Sequence, residues 1–248
     1  MGFLEAIRFL TVLPVRREQA SSERALARSI VYFPLVGALL GAILALVDWG
    51  VGHLGSTQVA AAVVLLAWMG LTGGLHLDGL ADTADGLLGG CDRGRRLAIM
   101  RDSRLGTFGA LALFAVLLLK FSLLGHLPLA WRGRSLILAP VLGRWALIQS
   151  LVCYPPAREG GLGHFFRQYA RVTDLVWASV VALALSLLCF GLWGLPIVAG
   201  AVLMALLFNS QVTRSIGGVT GDTCGALCEV EEVCVLTIIV VLGGGGLH

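Results

Sequence analysis

The sequence predicts an all-α bundle of membrane-spanning helices, and three observations carry that prediction. Hydrophobic residues fill 57% of the 248 positions and charged residues 13%, with a mean hydropathy of +0.88, whereas ordinary soluble domains carry about 25% charge. The apolar residues come in runs close to the ~20 residues that cross ~30 Å of hydrocarbon. The 33 glycines, with Gly37 and Gly41 at small-xxx-small spacing, suit close helix packing in lipid.

The first element is not a signal peptide, because Met1 to Leu13 has neither a basic start nor a small-residue cleavage site. Phe3, Leu4, Ile7 and Leu10 form an apolar stripe, interrupted by Glu5 and Arg8 and ended by Pro14, which predicts an interfacial helix on the membrane surface. Spans are expected at Ile30 to Trp49, Gln58 to Leu75, Gly106 to Gly125, Ser135 to Tyr154, Asp174 to Trp193, Leu195 to Val212 and Val233 to Leu247. The second, sixth and seventh are short, so six to seven transmembrane helices are expected, in one domain over residues 1–248. The Gly243 to Gly246 run reads as a frayed terminus.

Basic residues fall on alternate connections. Arg16, Arg17, Arg24 and Arg28 precede the first span, Arg93, Arg95, Arg96, Arg101 and Arg104 follow the second, and Arg158, Arg167 and Arg171 follow the fourth. Arg132 and Arg134 are the only basic residues on the opposite connections. The positive-inside rule puts the richer loops in the cytoplasm. With seven spans, the loop from Thr213 to Glu232 joins them there. The six cysteines form no CxxC pair and imply no disulfide framework, and Cys224 and Cys228 are not read as metal ligands.

Against this apolar background, HLDGLADTADG at His76 to Gly86 stands out. At about 100° per residue, Asp78, Asp82 and Asp85 fall within roughly 60° of one another on a helix, with Leu77, Leu80, Leu87 and Leu88 on the other side. Like charges at this spacing repel, and a hard cation relieves the repulsion. Oxygen-only ligands suit Mg²⁺, which takes one or two carboxylates together with substrate phosphate.

The stripe runs into CDRGRRLAIMRDSRLGTFG, where Arg101, Asp102, Ser103 and Arg104 precede Gly106, Thr107 and Gly109. Guanidinium groups next to a glycine-rich helix start can clamp phosphate, and equally can anchor the loop to lipid headgroups. A second acidic group follows in GGVTGDTCGALCEVEE. Asp222 reads either as a helix cap or as a site residue, and Glu229 and Glu232 share a helix face. Arg214 and Thr220 flank the glycine turn and are assigned to substrate binding. Lys120 and Arg144 lie within spans, where a charge is costly unless paired or facing an aqueous cavity, and both are assigned to the substrate as well.

These motifs carry a family resemblance. HLDGLADTADG, IMRDSRLGTFG and GGVTGDTCGA, in order with FLTVLPV, YFPLVG and PVLGRWA, resemble the cobalamin synthase family, the adenosylcobinamide-GDP ribazoletransferases. Cys224 and Cys228 depart from the small or polar residues expected in the third motif. The resemblance implies an Mg²⁺-dependent enzyme of the bacterial inner membrane with its active site facing the cytoplasm. It implies that adenosylcobinamide-GDP is joined to α-ribazole or its 5′-phosphate and that GMP is released. By motif position it implies Asp78, Asp82 and Asp85 as catalytic and metal-binding residues, with Asp222 and Glu229 as further metal ligands and Arg101, Asp102, Ser103 and Arg104 as the substrate loop. Membrane lipid is an expected partner and nucleic acid is not; a homo-oligomer is left open.

Two other readings differ in testable ways. A CDP-alcohol phosphotransferase uses membrane aspartates and a nucleotide leaving group, but its signature places arginine where this chain has Asp82. A cation-coupled transporter would account for Lys120 and Arg144 and would release no nucleotide.

Overall fold

The computed structural model describes residues 2–15, 23–52 and 55–244, and within them every named element is helical. Arg16, Arg17 and the end of the seventh expected span lie outside the described residues. The first helix, α1 (Gly2–Leu10), buries Ala6, Ile7 and Leu10 on one face, as its apolar stripe requires, and pairs Arg8 with Glu5 at 2.8 Å. A short α2 (Glu23–Ala27) and a 3₁₀ turn lead into α3 (Phe33–Val51). Then come α4 (Thr57–Thr72), α5 (Leu75–Gly89), α6 (Arg93–Ile99), α7 (Thr107–His126), α8 (Leu129–Cys153), α9 (Gly161–Tyr169), α10 (Val172–Phe190), α11 (Gly194–Ile216) and α12 (Gly221–Gly244).

Among the described residues, four stretches are long and apolar enough to cross a membrane: Ala25–Val51, Thr107–His126, Leu129–Cys153 and Val172–Ile216. The pair α4 and α5 passes the same test only when taken together, and it is bent in the middle. The last stretch, 45 residues long, holds both α10 and α11, which turn back on each other at Gly191–Trp193. A residue other than glycine at position 194 would run into the backbone of Ser186 on the facing helix. The seventh expected span differs most from the structure. Its acidic approach, expected as a loop to Glu232, is helical from Gly221, and α12 packs against α5, α7, α8 and α11. Arg132 and Arg134, expected in a connection, lie inside α8, where Arg132 pairs with Asp48 at 2.8 Å. Arg132 is thus neutralised between helices, whereas Arg134 is exposed and donates to the Cys189 carbonyl at 3.3 Å.

At the centre, α8 is 83% buried over its most apolar window, against 17% for the outer α7. Gly37 and Gly41 let α3 lie directly on the α8 backbone around Pro140. Pro140 has no N–H to offer the Leu136 carbonyl, and Gly41 packs at that oxygen. Leu111, Phe114, Leu118 and Leu119 of α7 and Val176 and Leu188 of α10 stay exposed, as a lipid-facing surface requires.

Two consecutive glycines set up the site. Gly73 and Gly74 take φ of +60° and +71°, a region that costs L-residues about 1–2 kcal/mol each. They turn the chain through 88° between α4 and α5. As a result α5 runs steeply to α4 and lies against α7 and α12.

Candidate active site at one end of the bundle

Cross-links between loops gather the starts of α7 and α12 and the ends of α8 and α11 at one end of the molecule. Val219 donates to the Pro155 carbonyl and Ala157 donates to that of Val219, each at 2.8 Å. Arg93 donates to the Ala157 carbonyl at 2.9 Å, and Arg96 donates to Ser215 at 3.1 Å and Gly90 at 3.0 Å. Two of the loop arginines therefore fasten backbone.

α12 starts with a reciprocal cap, as a Thr-x-x-Thr pattern allows. Thr223 N–H donates to the Thr220 hydroxyl at 3.2 Å, and Thr220 N–H to the Thr223 hydroxyl at 2.8 Å. Thr220, assigned to substrate, is thus a buried cap that also donates to Asp222 at 3.3 Å. Gly79 of α5 makes room for this helix start, since a Cβ there would lie 2.7 Å from the Asp222 carbonyl oxygen. Asp222 comes to rest beside α5, held by Arg158 at 3.0 Å. The charges of Asp78, Asp85 and Asp222 all bear on Asp82.

The acidic stripe is divided by use. Asp78 is exposed and Asp82 half-buried, and among the described residues no donor hydrogen-bonds either carboxylate. Asp85 is buried, and its oxygens accept from Gly106 N–H and Gly109 N–H, both at 2.8 Å. The helix start that reads in sequence as a phosphate cradle is thus filled by a carboxylate of the chain itself. Both glycines are needed, because a Cβ at either would overlap that carboxylate. Asp85→Asn should lower the unfolding midpoint in detergent by an amount matching about 1–2 kcal/mol. Unchanged stability with lost turnover would instead put Asp85 on the ligand.

Arg101, Ser103 and Arg104 are exposed on the loop before α7. Arg104 grips Asp102 at 2.6 Å, and this guanidinium holds the Asp102 carboxyl down at about 2. Arg214 is exposed at the end of α11.

Lys120, Arg144 and Glu229 are elsewhere. Lys120 of α7 pairs with Glu229 of α12 at 2.6 Å and with Glu232, and Arg144 of α8 pairs with Glu232. All four are buried, and the Lys120 ammonium also lies 4.6 Å from the Trp68 ring centroid. Glu229 is occupied by Lys120, so the structure does not bring it to the stripe as a ligand. The cations assigned to substrate neutralise carboxylates in the bundle core. The transporter reading loses its main support with them.

Among the described residues, no three His, Cys, Asp or Glu groups converge as a preformed metal cage. Asp78 and Asp82 are open carboxylates of like charge, a donor chemistry that fits a hard cation. Sequence reasoning missed Arg158, counted there only as a basic loop residue, and His76 and His164. All three line a cavity with Asp78 and Asp222. The three glycines at 160, 161 and 163 were the one local sign of a site beside Arg158.

Apolar helices surrounding a rim of carboxylates, guanidinium groups and glycine turns define a polytopic membrane protein with a charged site at one end of the bundle. The chain belongs to the cobalamin-5-phosphate synthase family, whose model matches residues 2–240. A relative from Roseiflexus sp. (strain RS-1) named adenosylcobinamide-GDP ribazoletransferase is 50% identical over 95% of this chain and 87% of its own length. Relatives of the same name from Herpetosiphon aurantiacus and Desulforamulus reducens are 45% and 42% identical, covering 96% and 94% of this chain and 95% and 94% of their own. No solved structure matches.

Proposed function

We propose that this protein joins adenosylcobinamide-GDP to α-ribazole or its 5′-phosphate and releases GMP. The observation that carries the reading is the meeting of Asp222 from α12 with Asp78 and Asp82 from α5, beside Arg158. A ribose hydroxyl of the acceptor attacks the phosphorus on the cobinamide side, the new P–O bond forms as the bond to GMP breaks, and the hydroxyl proton goes to an Asp82 oxygen not engaged with metal. Arg101 and Arg158 offset the charge of the departing phosphate. Asp78 and Asp82 are the residues that would hold Mg²⁺, which supplies charge neutralisation on the pyrophosphate. Positioning and electrostatics carry the rate, in keeping with the absence of any covalent role for the protein in phosphoryl transfer of this kind.

The test is GMP release by purified protein in detergent with both substrates and Mg²⁺. Release that depends on both substrates is the expected result. No GMP under these conditions, or CMP from CDP-diacylglycerol, would overturn the reading.

The site faces the cytoplasm of a bacterial inner membrane in this proposal, since basic residues concentrate at the same end as the acids. Single cysteines at exposed Ser103 and Glu159, in a cysteine-free background, should be shielded from an impermeant maleimide in intact cells, while one at Thr57 should label. Inverted vesicles should give the reverse pattern. Labelling of Ser103 and Thr57 from one side would refute this orientation.

A further inference from the structure

Two cavities adjoin at Asp78. One is narrower, about 200 Å³, between α5, α9 and the start of α12; the other is wider, about 730 Å³, between α1, α4, α5 and α7. Phe9, Leu75 and Asp78 line both, so a group at Asp78 is within reach of each.

Their chemistry differs. The narrower cavity has an aromatic wall, with Phe9 stacked on Phe33 at 5.9 Å between ring centroids and Phe166 at 5.0 Å and 6.0 Å from the two. It also holds unused polar atoms. His76 is 4% exposed and its Nδ1 has no partner, and Nδ1 of His164 and Nη1 of Arg158 are likewise unpartnered. Leaving such groups buried and unpaired costs about 1–3 kcal/mol each, which a ligand with an aromatic face and polar edge atoms would recover once these side chains turn toward it. The wider cavity is lined by Val12, Met69, Leu77, Leu113 and Leu117. Its two threonines are already spent, Thr11 donating to the Ile7 carbonyl and Thr72 to that of Trp68. It presents apolar surface and no idle donor from those hydroxyls, which suits the flank of a large ring system.

Resting on the reaction proposed above, we infer that the narrower cavity seats the aromatic nucleoside acceptor and the wider cavity the ring of the activated corrinoid. His76 and Phe166 are then acceptor-binding residues. This division brings the hydroxyl and the phosphate together at Asp78 from opposite sides, and it keeps two bulky substrates from competing for one volume.

The experiment measures a Michaelis constant for each substrate in purified wild type and in Phe166→Leu, His76→Gln and Leu117→Trp. Binding of the nucleoside alone is followed by equilibrium dialysis. Phe166→Leu and His76→Gln should raise the constant for the nucleoside about tenfold and weaken its dialysis binding equally, with the corrinoid constant within about twofold of wild type. Leu117→Trp, which fills the wider cavity, should do the reverse. The dialysis arm does not need turnover, and His164→Asn, at a less buried position, replaces any variant that fails to fold. GMP release by wild type with both constants shifting together in every variant would overturn the division of cavities alone. Absence of GMP from wild type would overturn the reaction and this assignment with it.

Discussion

Asp82→Asn should reduce GMP release by about 10²- to 10⁴-fold, the usual range for a lost general base, while the protein stays folded in the membrane. Asp82 receives no hydrogen bond from a described residue and lies in the field of Asp78, Asp85 and Asp222. Asparagine keeps the shape, removes the proton acceptor and relieves repulsion, so the unfolding midpoint should hold or rise. The pair of measurements is single-turnover GMP release and thermal unfolding in the same detergent. Turnover near wild type at saturating Mg²⁺ would remove Asp82 from the mechanism.

Lys120→Met should destabilise the protein by about 3–5 kcal/mol, the cost of leaving a buried pair with one partner missing. Without Lys120, Glu229 has no cation at hydrogen-bond distance and Glu232 keeps only Arg144. The cluster joins α7, α8 and α12, so its loss should loosen the helix that carries Asp222 into the site. Adding Glu229→Gln to Lys120→Met should recover much of the loss, because the uncompensated charge is gone. Unfolding of the single variant at the wild-type temperature would show that the cluster does not hold these helices.

Much of this architecture could be read locally. The stripe at Asp78, Asp82 and Asp85, the amphipathic α1 and the Gly37 and Gly41 contact depend on spacing within one helix, and helix periodicity reports such spacing directly. Their use could not be read the same way. Asp85 bonds N–H groups 21 and 24 residues away, Arg158 holds a carboxylate 64 residues on, and Lys120 meets Glu229 across 109 residues. Nothing local marks one aspartate of a stripe as spent on a helix start and its neighbour as open. The same limit made an acidic loop of what is the first half of α12, because the cations that neutralise it lie on α7 and α8.

The bend at Gly73 and Gly74 bears on how the chain enters a bilayer. An aspartate at the centre of a crossing helix costs about 2.5–3.5 kcal/mol on insertion scales, so three within eight residues would oppose passage of any straight helix that contained them. The 88° turn ahead of Leu75 separates these acids from the apolar run of α4, which holds no charged residue of its own. Substituting both glycines by residues that favour a continuous helix would therefore register first as failed membrane integration of newly made chains, before any question of catalysis arose.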